Sequence, residues 1–234
     1  MASMNILPDK HLFMITSCIN TNIGIFNSEQ RFKQTLETIN SIRKYSPNSL
    51  IFLADNSSQE LDANLYNILA TNCNLVANLS GDKDCIHFNS SGVKSAADCV
   101  ITVKMLEILL NNPTGMKLVS QSKRLYKISG RYHLNENFKE ENFDHYGKFV
   151  VKYFDTWRDD KSIGGLYLTR LMSFCPSVIK YFHQTLISSV NTVMREQVDM
   201  EHAMYKNIDK NLVVTIPTLG LSGQVAPNGQ LHID

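Results

Sequence analysis

Short, wholly apolar runs alternate along this chain with longer stretches in which apolar residues recur every three or four positions. Leu12-Phe-Met-Ile-Thr-Ser-Cys-Ile19 is followed by a polar loop with Asn20, Thr21, Asn22 and Gly24, the pattern of a buried strand ending at its carboxyl side. Phe32, Leu36, Ile39, Ile42 and Tyr45 then predict a helix with Ser28 as N-cap and Ser46-Pro47-Asn48 as its stop. A second apolar run, Leu50–Ala54, closes at Asp55; Leu61, Leu65 and Leu69 predict a helix over 60–70, and Leu75-Val-Ala77 a third strand. This β-α-β-α-β order predicts a parallel sheet covered by helices, with ligand chemistry beyond the carboxyl ends of the strands.

A polar loop is expected from Ser80 to Gly92, and a helix from Val93 to Leu110 that Asn111-Asn-Pro-Thr-Gly115 terminates. Arg124–Ile128 reads as a strand. Further on, Phe149–Phe154 and Leu166–Phe174 read as strands around a loop, 156–165, that holds the single tryptophan, Trp157. A long helix is expected from about Pro176 to Arg195, a shorter one from near Asp199, then a strand over Leu212–Ile216 and a tail containing Gly and Pro. The pattern implies one α/β domain over residues 1–234, its central sheet mostly parallel and flanked by helices.

Composition narrows the classes of function. With 234 residues, 43% of them hydrophobic, the chain can bury one substantial core. A formal net charge of +1 supplies no global field to recruit nucleic acid or anionic lipid, so any anion site must be local. The five cysteines have neither paired zinc-site spacing nor the density of a disulfide scaffold. No transmembrane segment or secretory leader is legible, so a soluble, cytoplasmic protein is expected, in which the sequons at Asn56, Asn78 and Asn89 reflect an Asn- and Ser-rich chain.

Candidate chemistry concentrates at two strand ends. Lys127-Ile-Ser-Gly-Arg-Tyr-His-Leu134 ends a strand in a glycine flanked by a hydroxyl, a guanidinium and a phenol, and Asp55-Asn-Ser-Ser58 closes an earlier strand in the same manner. A dinucleotide fingerprint is lacking, because the loop after the first strand contains only Gly24, and no Gly-Lys-Ser/Thr phosphate loop occurs.

Together with Gly223-Gln-Val-Ala-Pro-Asn-Gly229, these two elements resemble small glycosyltransferases of the GT-A fold, of the kind found in bacterial polysaccharide loci and large viruses. The resemblance implies a nucleotide-sugar donor, a glycan or other hydroxyl acceptor, a donor-binding half over about 10–134 and an acceptor-facing half over about 135–234. It implies that Thr16, Ser17, Asp55 and Asn56 contact the nucleoside. Such enzymes commonly hold Mn2+ or Mg2+ through Asp-x-Asp at the end of the central strand, where this chain has Ser129-Gly130-Arg131. The literal match, Asp82-Lys83-Asp84, reads as a solvated turn.

A leaving diphosphate can be stabilised by fixed cations and donors instead of a metal. Arg131 offers a planar fork, Lys127 a second cation, Tyr132 a donor, and Gly130 room for close backbone approach. The plainer reading is a turn with Arg131 on the surface, Tyr132 packing its ring and Lys127 pointing to water. Arg31 and Lys94 either reach phosphate or lie on solvated helical faces. In Asp199-Met-Glu-His202, Asp199 and His202 share a helical face while Glu201 points elsewhere. The resemblance makes Glu201 the first candidate for the base that deprotonates the acceptor, and Asp199 the second; otherwise both are helix-start carboxylates and His202 an ordinary surface residue. Trp157 is either a sugar platform or a packing anchor. His232 is either a metal ligand or part of a disordered tail. Two classes of function follow: a glycosyltransferase, or a non-catalytic binder of nucleotide sugar or glycan on the same fold.

Overall fold

The computed structural model describes residues 8–21, 24–156, 158–225 and 229–234. The three apolar runs near the amino terminus form β1 (Lys10–Ser17), β2 (Leu50–Asp55) and β3 (Leu75–Asn78). Later runs form β4 (Ser122–Ser129), β6 (Phe149–Val151), β9 (Leu171–Phe174) and β10 (Val213–Thr215). These make one seven-stranded sheet in the order β10-β6-β9-β4-β1-β2-β3. Neighbours pair in parallel except for β9, which runs against both β4 and β6. The mostly parallel α/β architecture expected from the sequence is the one observed.

Strict alternation along the central strands sorts two cores. Leu12, Met14, Leu50, Phe52 and Leu125 face α4 (Lys94–Asn111), α6 (Ile179–Glu196) and α7 (Met200–Asn207). Phe13, Ile15, Ile51, Leu53, Tyr126 and Ile128 face α1 (Ser28–Tyr45) and α2 (Ala63–Asn72), whose Ile39, Ile42 and Leu69 are buried there. Burial on both faces is why these strands read as unbroken apolar runs.

Several local expectations are corrected. The first helix is capped one residue earlier than expected: Asn27 accepts from Gln30 N, and the Gln30 side chain accepts from Asn27 N, a capping box. The polar segment 80–92 contains a helix, α3 (Lys83–Ser90), because Asp82 accepts from the backbone N–H groups of Asp84 and Cys85. The breakers after α4 likewise start α5 (Pro113–Ser120), with Asn112 as N-cap and Pro113 in the first turn. Each of the two later strand expectations splits: after β6 and before β9 the chain leaves the sheet to form β7 (Tyr153–Phe154) and β8 (Leu166–Tyr167), which pair with each other. The described parts of the tail form β11 (Leu221–Gln224) and β12 (Leu231–Ile233), joined to β5 (Tyr132–Leu134) in a second sheet. Among the described residues no helix is long and apolar enough to cross a membrane.

Asp55 locks the carboxyl ends of the sheet. Its fully buried carboxylate accepts from Ile19 N and Ser57 N, both at 3.0 Å, while its carbonyl accepts from Leu79 N at 2.8 Å. Asp55→Ala strands two buried N–H donors and costs about 3 kcal/mol, lowering Tm by roughly 6–12 °C for a chain of this length. Asp55→Asn, which keeps one carbonyl acceptor, loses less. Thermal unfolding of the two variants checks the order, and an unchanged Tm for Asp55→Ala would refute this role.

Candidate functional site

The strand order reverses between β1 and β4, since β1 leads to β2 on one side while β4 lies on its other side. Such a switch point leaves a crevice at the carboxyl strand ends. A cleft of about 340 Å³ opens there, framed by Thr16 and Ser17 of β1, Asn56 to Ser58 after β2, and Ser129 to Arg131 at the end of β4 and in the turn beyond it. The helix N-terminus of α4 closes one side, and its cap residue Val93 makes no side-chain capping bond.

Three cations enter the cleft from three elements: Arg31 from α1, Lys94 from α4 and Arg131 from the β4–β5 turn. Asp98, one turn beyond Lys94, is the only carboxylate lining the cleft among the described residues. Burial holds Lys94 below the usual lysine range, and repulsion from Arg131 and Arg31 adds to that. Arg31 is lowered for the same reasons, burial first and Arg131 second. Like charges are thus held together where an anion can separate them.

The polar rim is fixed before any ligand arrives. Asn89 Nδ2 donates to Asn56 O at 2.7 Å and Asn56 Nδ2 to Asn89 Oδ1 at 3.3 Å, joining α3 to the end of β2. Asn20 N donates to Ser57 Oγ at 2.8 Å, and Ser58 N to Asn20 O at 3.0 Å. Leu79, Ile86 and Phe88 add an apolar wall. The β4–β5 turn is fastened to α1 by a row of hydroxyls. Thr38 Oγ1 donates to Tyr132 O at 2.7 Å, Ser41 Oγ accepts from Leu134 N at 2.9 Å, and Thr35 Oγ1 lies 3.5 Å from Gly130 O.

Of the residues singled out in the sequence, Thr16, Ser17, Asn56, Lys94, Ser129, Gly130 and Arg131 line the cleft, as does Arg31. The solvated-face reading of Arg31 does not hold, because the residue is buried. Asp55, Lys127 and Tyr132 do not line the cleft. Asp55 is engaged by backbone donors beneath it. Lys127 falls on the α4 face of β4, where its Nζ donates to Thr169 O at 2.9 Å in the field of Asp98 and Glu201; it does not point to water. Tyr132 packs its ring in the α1-side core, with the Arg131 and Arg170 guanidinium groups 5.7 and 5.4 Å from its centroid. Gly130 serves protein packing: a Cβ there would come within 3.2 Å of Thr16 O and of the Thr35 hydroxyl.

The carboxylates near α7 divide as their spacing implies. Asp199 pairs with Arg158 at 3.4 Å and with His202 Nδ1 at 3.3 Å. His202 is no surface residue; it is fully buried, with Nε2 2.8 Å from Thr156 Oγ1, and burial lowers its pKa. Glu201 points elsewhere and accepts from Thr169 Oγ1 at 3.0 Å. Burial raises the Glu201 carboxyl above its usual range, with Asp98 adding to the shift and Lys127 opposing it. Trp157 lies outside the described residues.

Among the described residues, the acids and histidine that the sequence offers do not gather into a divalent-cation site. Lys104 occupies the Asp82–Asp84 pair at 3.5 and 2.6 Å, and His232 sits in β12 beside Tyr132. Among the described residues no three His, Cys, Asp or Glu side chains converge on one point. Sequence reasoning missed Asp98, Thr35 and the part that Asn20 and Asn89 play in the rim around Asn56 and Ser57. The i,i+4 spacing of Lys94 and Asp98 at a helix start was the signal available for Asp98.

No family model matches the chain, and no curated protein matches it in sequence. Solved structures do resemble it. The galactosyltransferase LgtC, in complex with donor and acceptor sugar analogs, superposes with a TM-score of 0.57 at 8% identity, over 87% of this chain and 72% of that one. Core-mannan synthase A from Aspergillus fumigatus, in its Mn/GDP form, gives 0.53 at 6% identity, over 97% and 78%. A mannosyltransferase from S. cerevisiae gives 0.51 at 6%, over 88% and 68%. At these identities the likeness is one of architecture, and the chain has the GT-A fold.

Proposed function

We propose that the cleft binds the diphosphate of a nucleotide sugar and that the protein transfers the sugar to a hydroxyl of a glycan acceptor. The observation that carries this reading is the convergence of Arg31, Lys94 and Arg131 on a fold whose solved examples include glycosyltransferases. Guanidinium forks match phosphate oxygens, and a preorganised cationic site stabilises the charge that develops on a leaving diphosphate. The amide and hydroxyl rim of Asn20, Asn56, Ser57 and Asn89 suits ribose and base edges, with Ile86 and Phe88 as apolar cover. Every cleft residue lies between Thr16 and Arg131, which supports a donor half over about 10–134 and an acceptor half over about 135–234.

In the transfer the acceptor oxygen bonds to the anomeric carbon, the bond from that carbon to the diphosphate oxygen breaks with its electron pair leaving on the diphosphate, and the acceptor proton passes to a carboxylate. Glu201 suits that base better than Asp199, which is committed to Arg158 and His202. The second reading, a non-catalytic nucleotide-sugar binder, draws on Ser129-Gly130-Arg131 at the end of β4. Release of nucleoside diphosphate from a panel of nucleotide sugars and glycan acceptors separates the two: turnover supports the transferase, and saturable binding without turnover supports the binder.

Arg131→Ala lowers turnover about 100-fold or more with the fold retained; near-normal turnover in that variant removes Arg131 from the mechanism. Glu201→Gln suppresses transfer while donor affinity stays. Because burial raises the Glu201 pKa and the base must be ionised, the wild-type rate rises with pH through a value above the usual carboxylate range. A Glu201→Gln enzyme with wild-type turnover would shift the role to Asp199.

A further inference from the structure

We infer that this site neutralises the donor diphosphate with fixed cations, Arg31, Lys94 and Arg131, and binds nucleoside diphosphate without a divalent metal; the inference rests on the nucleotide-sugar reading above. Divalent cations such as Mn2+ and Mg2+ take hard oxygen ligands, carboxylates foremost. Among the described residues the cleft offers Asp98 as its one carboxylate, four residues from Lys94 and sharing the lining with Arg31 and Arg131. A divalent ion placed there would meet three like charges, whereas a diphosphate meets three complementary ones.

Several acids outside the cleft are held by other side chains: Lys104 bridges Asp82, Asp84 and Glu107; Lys152 holds Asp234 at 2.7 Å; Arg158 and His202 hold Asp199. The residues outside the description, 1–7, 22–23, 157 and 226–228, include no Asp, Glu, His or Cys, so they cannot complete a side-chain ligand set of those types. The cations, by contrast, are built in. Arg31 is buried, with its guanidinium 5.5 Å from the Phe26 ring centroid, and Arg131 sits on a turn fastened to α1 through Thr38 and Ser41. Fixed donors of this kind need no recruitment of an ion and no dehydration of one.

The test is calorimetric titration of the EDTA-treated full chain with the diphosphates of uridine, guanosine, adenosine, cytidine and thymidine, repeated with added Mn2+ and Mg2+. At least one nucleotide is expected to bind in EDTA, with a Kd that either metal changes by less than about threefold. Arg131→Ala and Lys94→Ala are each expected to weaken that binding about tenfold or more, while Lys117→Ala, an exposed charge on α5, leaves it unchanged. A larger tightening by metal, or unaltered binding in both cleft variants, would overturn the inference and leave the nucleotide-sugar reading standing. Absence of binding under every condition would overturn both.

Discussion

The geometry of the cleft depends on a carboxylate that never reaches it. Asp55 ends β2 with both oxygens turned inward, one on Ile19 N and one on Ser57 N, so the loops after β1 and β2 are tied at a single buried point. A buried charge is tolerable when donors surround it, and here two backbone N–H groups do so. Asn56 N to Ser17 O and Leu79 N to Asp55 O extend the tie to either side. Asn20, Asn56 and Ser57 are therefore presented at fixed spacing above it.

Above that tie the design accepts an electrostatic cost. Three cations share one partly buried cleft, and Lys94 and Arg31 are both held below their ordinary ranges by burial and by their neighbours. Sites of this kind are less stable empty than filled, and a ligand that relieves the repulsion stabilises the native state by mass action. Asp98 moderates the repulsion without cancelling it. Beneath, Lys127 sets a further amine inside the core against Thr169 O, its pKa lowered by burial against the opposing fields of Asp98 and Glu201. Thr169 links this amine to α7, accepting from Lys127 through its carbonyl and donating to Glu201 through its hydroxyl.

Much of the fold was legible because doubly buried strands leave runs such as Leu50–Ala54 that nothing else explains, and amphipathic helices leave spacings such as Phe32 to Tyr45. The misses have a common origin. Asp82 and Asn112 look like the middle of turns, yet each caps a helix, because the same side-chain oxygens that stabilise turns also satisfy the first free N–H groups of a helix. At the site, residues on the strand ends, Thr16, Ser17, Ser129 and Arg131, were legible from where their strands stop. Arg31 and Lys94 could be named from the sequence with cleft and solvent both open, because the rotation of a helix about its axis decides between them, and Asp98 carried only its spacing from Lys94. Asp55, Lys127 and Tyr132 were drawn into the site by adjacency, whereas the alternation of strands and the demands of buried backbone donors direct them inward.

The hydroxyl row on α1 has one more consequence. Thr38 and Ser41 bond β5 along the edge that β11 leaves unpaired, so α1 stands in for a neighbouring strand and is tied to the strand that follows the turn bearing Arg131. Arg31 projects from that same helix. The backbone positions of Arg31 and Arg131 are therefore set by one helix and the turn tied to it, and Lys94 reaches the same cleft from α4. Under the nucleotide-sugar reading, that shared anchor gives the two guanidinium groups a common frame in which to meet a diphosphate.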